Sequence, residues 1–182
     1  MTIYKNNVII LTNKLHLLSA VRSVTTEYYM KKQYIVIKPS AKIAGSAHII
    51  DRVQRLRLDR VSRNTNVNIW ISPEQIRLLY PDSPEPILEQ TIEEMTKRLT
   101  VIRFTAELES ANIVNRIALL RGSHINPVLC EPETLRREVS QIVPSVPIWL
   151  EGEYVYIPNY VHIPQNESEI KICELIFDRY FN

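Results

Sequence analysis

Apolar positions along the chain recur with two different periods, and the periods mark out the elements. Residues 7–12 (NVIILT) are a short run rich in β-branched side chains, which predicts a strand. Asn13 can cap a helix after it, with Leu17, Val21, Val24 and Tyr28 at helical spacing as far as about Lys32. The Lys31-Lys32 pair would suit the negative end of that helix. Residues 34–38 (YIVIK) predict a second strand, ended by Pro39.

From Ser72 the period turns helical. Ser72-Pro73-Glu74-Gln75 combines a capping serine, proline at the first helical position and glutamine where a capping box wants it. Pro81 stops that helix. Another starts at Ser83-Pro84-Glu85, with Leu88, Ile92, Met95 and Leu99 on one face. Residues 100–105 (TVIRFT) read as a strand or a tight link. Thr105 is expected to cap a helix carrying Leu108, Ala111, Val114 and Ala118, closed by Gly122. A further helix is expected from Pro132 to Val143. Residues 146–150 and 153–157 read as a hairpin around Glu151-Gly152, and Asn166 caps a last helix with Ile170, Cys173 and Phe177 inward.

Together these elements predict an α+β fold. A small mixed or antiparallel sheet from the N-terminal half packs with four to six helices, and a C-terminal β-hairpin and helix follow. The expectation is a single domain over residues 1–182. Residues 81–86 (PDSPEP) are a stiff joint within it, between a basic α/β part (1–80) and an acidic, mainly helical part (84–182).

Charge changes the picture. The net charge is only +2, yet residues 1–72 carry twelve Lys+Arg against three Asp+Glu, and residues 73–182 carry ten against seventeen. The basic excess concentrates in residues 51–72, where Arg52, Arg55, Arg57, Arg60 and Arg63 fall close together. As a helix, Arg52, Arg55, Arg60 and Arg63 share a face, with Leu56 among them. As a strand, Arg55-Leu56-Arg57-Leu58-Asp59 alternates with period two, SRNTN makes a loop and residues 67–71 (VNIWI) are the partner strand. The hairpin is the favoured reading. It predicts exposed arginines, with Leu56 and Leu58 at least half-buried.

Composition narrows the chemistry. The longest apolar runs fall far short of the ~20 residues that span a bilayer, so no membrane partner is expected. No apolar leader follows Met1, and Cys130 and Cys173 are far apart, so the expected location is intracellular (cytoplasmic) or within a virus particle. Three glycines argue against a backbone cradle for phosphate, and hence against a bound nucleotide. The histidines His16, His48, His124 and His162 are scattered, and even Cys130, His124 and Glu131 lack the close spacing of a zinc site. No linear catalytic motif is present, and Ser123-His124 after Gly122 reads as a helix end rather than a nucleophile and base.

These readings name no catalytic, cofactor-binding or metal residues. The residues expected to act are contact residues: the five arginines together with Trp149, Tyr154, Tyr156 and Tyr160 of the C-terminal hairpin, where Tyr154 and Tyr156 share a face. The expectation is a non-enzymatic structural or adaptor subunit of a larger assembly, viral or encoded by a mobile element. It would dock on other protein subunits, as a homo-oligomer or hetero-complex, through oppositely charged surfaces. The alternative is a nucleic-acid-binding protein using the arginines of 52–63. The third reading is an enzyme with no recognisable linear motif.

Overall fold

The protein is described here from a computed structural model, which places residues 30–55, 61–107 and 111–181. Four strands form one antiparallel sheet in the order β2-β3-β1-β6. They are β1 (Met30–Ile37), β2 (Val61–Ile69), β3 (Leu99–Glu107) and β6 (Val161–His162). A separate two-stranded hairpin joins β4 (Ile148–Trp149) to β5 (Val155–Tyr156). Among the described residues six α-helices surround the sheet: α1 (Lys42–Arg55), α2 (Pro73–Leu79), α3 (Glu85–Met95), α4 (Ala111–Leu119), α5 (Leu135–Ile142) and α6 (Glu167–Phe177). The α+β class and the antiparallel sheet are as the sequence predicts. The sheet nevertheless takes β3 and β6 from the second half of the chain.

Both faces of the sheet are covered, which is why residues 34–37 are apolar without alternation. On one face Ile35, Ile37, Ile102 and Phe104 meet Ile49 and Val53 of α1, Ile117 of α4 and Leu135 and Val139 of α5. On the other, Tyr34, Val36, Leu99 and Val101 meet Ile76 and Leu79 of α2, Met95 of α3 and Cys173, Ile176 and Phe177 of α6. The open end of the second layer is pinned by Asp178, which accepts from Lys32 Nζ at 2.5 Å, Tyr34 Oη at 2.6 Å and Arg103 at 3.4 Å.

Several local expectations hold. Ser72 Oγ accepts from Gln75 N while Gln75 Oε1 accepts from Ser72 N, which is the capping box. Asn166 Oδ1 accepts from Glu169 N at the start of α6. The hairpin lies where 146–157 places it.

Others fail for identifiable reasons. Lys31 and Lys32 begin β1 rather than end a helix; the strand at 7–12 and the rest of that helix lie outside the described residues. Thr105 lies within β3 rather than at the start of a helix. The arginine hairpin does not form: residues 51–55 belong to α1, and β2 pairs along its whole length with β3, from Val61↔Ala106 to Ile69↔Leu99. The helix wins because Ile49 and Val53 bury a common face against the sheet, which outweighs a local Arg-Leu alternation. Leu56 and Leu58 lie outside the described residues.

Candidate functional site

β1 and β6 pair antiparallel, with Val36 opposite His162 and Ile37 opposite Val161. Side chains directly opposite share a face, so His162 stands on the face of Val36, and Lys38, two residues beyond Val36, lies next to it. The ladder is extended by one bond, Lys38 N–H donating to Tyr160 O at 2.8 Å. Just before His162 the chain makes a three-residue turn. Val161 N–H donates to Asn159 O at 2.7 Å, with Tyr160 at φ +65° between them. A non-glycine residue in that region is strained, at a cost of about 1–3 kcal/mol. The strain is held by packing: Tyr160 is fully buried and its hydroxyl donates to Val143 O at 2.5 Å.

Beside this turn lies a cleft of about 630 Å³, lined among others by Tyr80, Arg121, Arg136, Asn159 and His162. That size falls within the usual range for small-molecule sites. Tyr80 follows α2 and sets its ring between two functional groups: the Lys38 ammonium lies 5.0 Å from its centroid, and the His162 ring meets it edge-on at 5.2 Å. Arg136, on the first turn of α5, is buried; it donates to His124 O at 3.0 Å and Val161 O at 3.3 Å. Arg121 enters from the loop after α4, where Gly122 adopts φ +93° and a Cβ would come within 2.7 Å of Cys130 Sγ. Cys130 in turn donates to His124 O at 3.1 Å and closes that loop.

Three cations therefore converge, and among the described residues none of them forms an ion pair with a carboxylate. Tyr80 Oη, Arg121 Nε, Arg136 Nε, Asn159 Oδ1 and His162 Nε2 are all buried without a hydrogen-bond partner. Buried cations without an ion pair cost several kcal/mol and unsatisfied buried polar atoms cost ~1–3 kcal/mol each. A fold that gathers both in one cleft has the donor set for an anion. The titration behaviour agrees. Burial, then the charges of Lys38, Arg121 and Arg136, push His162 down to about 3, so its imidazole is neutral at pH 7. Burial also pushes Lys38 down to about 8 and Arg136 to about 10.

The residues singled out from the sequence lie elsewhere. Arg52 is half-buried on α1 beside Glu138 at 3.4 Å, and Arg55 is exposed and pairs with Asp51 at 3.0 Å. Arg57 and Arg60 lie outside the described residues, and of Arg63 only the backbone in β2 is described. Trp149 and Tyr154 are exposed on the hairpin, whereas Tyr156 and Tyr160 are buried, so no free tyrosine face joins Tyr154 to Tyr156. Glu131 is engaged by Ser123, and His124 Nδ1 accepts from Asn126 N at 3.0 Å. Among the described residues no group of three acidic, histidine or cysteine side chains could hold a metal. No described helix is long and apolar enough to cross a membrane.

No family model matches the sequence, and no curated protein matches it. Solved structures do match the fold. A nucleoside-diphosphate kinase from Borrelia burgdorferi, a transition-state mimic with bound vanadate and ADP, superposes with a TM-score of 0.56 at 17% identity, over 82% of this chain and 88% of that one. The nucleoside diphosphate kinase of Aquifex aeolicus gives 0.56 at 14% identity, over 80% and 93%. An NDP kinase from Pyrobaculum aerophilum gives 0.52 at 20% identity, over 78% and 92%. The chain has the fold of nucleoside-diphosphate kinases. That finding overturns the reading of a non-enzymatic structural or adaptor subunit, viral or mobile-element encoded.

Proposed function

We propose that the protein is a phosphoryl-transfer enzyme that moves the terminal phosphate of a nucleoside triphosphate to a nucleoside diphosphate through His162. The observation that carries this reading is the cluster of Lys38, Arg121 and Arg136, with no ion pair among the described residues, around a neutral, buried imidazole beside an open cleft. The fold supports it, since a structure of that fold holds ADP and vanadate, a mimic of the transferring phosphoryl group.

An imidazole nitrogen with a free lone pair attacks the γ-phosphorus. An N–P bond forms, the bond from that phosphorus to the bridging oxygen breaks, and the diphosphate leaves with the electron pair. A terminal oxygen of a second diphosphate then attacks the same phosphorus, and the N–P bond breaks to return the neutral imidazole. Lys38, Arg121 and Arg136 offset the charge spread over the phosphoryl oxygens, a contribution largest in a site that needs no rearrangement. Tyr80 Oη can donate to the same oxygens, and Asn159 Oδ1 can accept from a substrate hydroxyl. Magnesium enters as part of the nucleotide. Scarce glycine bears only on backbone cradles; here side-chain cations meet the phosphates.

The test is incubation with ATP labelled at the γ-phosphate. The expected result is a labelled protein whose label is lost in acid, retained in base and discharged by GDP. His162→Asn should abolish labelling and lower transfer by a factor of ~10³ or more, the scale of losing a nucleophile. An unlabelled wild-type protein that binds ATP yet transfers nothing to GDP would end this reading.

A further inference from the structure

A buried carboxylate next to the cleft ties together three elements, and the mechanism above gives it no part. Glu94, on the last turn of α3, is 8% exposed. Its Oε1 accepts from Ser40 N–H at 3.0 Å, and its Oε2 accepts from the Tyr156 hydroxyl. Ser40 lies in the short 3-10 turn Pro39–Ala41 that follows Lys38 directly. Tyr156 belongs to β5, so the same carboxylate also fastens the hairpin to the site. Each oxygen is thus held by a different segment, and the carboxylate has little freedom to move.

We propose that Glu94 is a positioning residue of the phosphate site, anchoring the turn that carries Lys38 and supplying the counter-charge that lets an ammonium persist there. The inference rests on the phosphoryl-transfer reading for its purpose. Its geometry stands alone. Around Lys38 the elements contribute the Tyr80 ring after α2, Arg136 from α5, His162 from β6 and Glu94 from α3. Burial, then Arg136, favours loss of the lysine proton; the carboxylate of Glu94 opposes both. Lys38 thus sits near its midpoint just above neutral pH. Without the carboxylate, the ammonium would discharge within the range where the enzyme has to bind phosphate. The second oxygen of Glu94, held by the Tyr156 hydroxyl, keeps the carboxylate from swinging into an ion pair with Lys38, so the ammonium stays available to the substrate beside Arg121 and Arg136.

A purely structural Glu94 would hold Ser40 and Tyr156 and nothing more, so its loss would act alike at every pH. The pH profile of kcat/KM for transfer from ATP to GDP separates the two roles, because it reports groups of the free enzyme. Glu94→Gln keeps the shape but removes the charge. Its alkaline limb should fall about one pH unit below that of the wild type, so that the loss in kcat/KM at pH 8 exceeds the loss at pH 6 by about fivefold. Glu94→Asp should restore the limb even where it lowers thermal stability. A Glu94→Gln loss that is the same at all pH values would overturn the proposal. If that variant does not fold, carbon-detected NMR titration of the wild type decides: the Glu94 carboxyl resonance should step at the pH where Lys38 titrates, and a flat trace sinks the idea. If the wild type transfers no phosphate, the functional reading fails. The Lys38 titration, compared between wild type and Glu94→Gln, still settles what Glu94 does.

Discussion

His162 illustrates how burying one titratable residue among cations comes at the expense of acid stability. Its folded value of about 3 lies well below the ordinary 6.5, so between those two pH values the unfolded chain binds a proton that the folded protein refuses. Stability contributed at this position is therefore complete above about pH 6.5 and declines as pH falls toward 3. His162→Asn removes that linkage. In urea unfolding the variant should match or exceed the wild type at pH 4, with a gain of up to a few kcal/mol, and show no such gain at pH 7.5. A variant with the same acid profile as the wild type would mean that His162 is not buried as described. Gly122 has the opposite character, since the backbone rather than the side chain is at stake. At φ +93° and with Cys130 Sγ where a Cβ would go, Gly122→Ala should cost about 1–3 kcal/mol and displace Arg121 from the cleft.

At the scale of elements, helix α1 packs so closely on α5 that Gly45 has no room for a methyl group. Its Cβ would meet Val139 Cγ1 at 2.8 Å. Alanine gains ~1 kcal/mol of helix propensity over glycine, but overpacking a full core costs ~1–3 kcal/mol, so Gly45→Ala should be neutral to destabilising. Combined with Val139→Ala it should recover part of the loss, and chemical denaturation of the double-mutant cycle would register a coupling above ~0.5 kcal/mol. That same glycine helps explain why α1 was hard to read: it interrupts the apolar face of Ile49 and Val53, while Arg55-Leu56-Arg57-Leu58 just after it alternates like a strand. The strand at 34–38, the Ser72 capping box, the 146–157 hairpin and the Asn166 cap were legible because each is written within a few consecutive residues. The site was not. Lys38, Tyr80, Arg121, Arg136 and His162 come from five separate segments, and only the pairing of β1 with β6 brings them together. The one local trace is a basic residue closing an apolar strand at Lys38 and a lone histidine in an apolar run at 161–163, either of which has an ordinary structural explanation.

The whole molecule carries a net charge of only +2, so attraction of an anionic ligand would fall to the local cluster rather than to the overall field. Thermal unfolding should show this directly. ATP or ADP at a hundredfold excess over its dissociation constant should stabilise the protein by about 2.7 kcal/mol, whereas adenosine, which lacks phosphate, should give little. Equal shifts with both would place recognition in the base and not in the cations. The bond from Lys38 N–H to Tyr160 O has one more consequence, and it concerns time. β6 is the last of the described strands in chain order and it docks beside β1, the first of them, so among the described strands the sheet closes by its longest-range pairing. Closures of that kind form slowly. Until it happens Lys38, Arg121 and Arg136 remain in water, spared each other's company. The repulsion stored in the cleft is thus deferred to that closure, and a phosphate-bearing ligand, if the site takes one as proposed, would aid that closure as well as occupy the finished cleft.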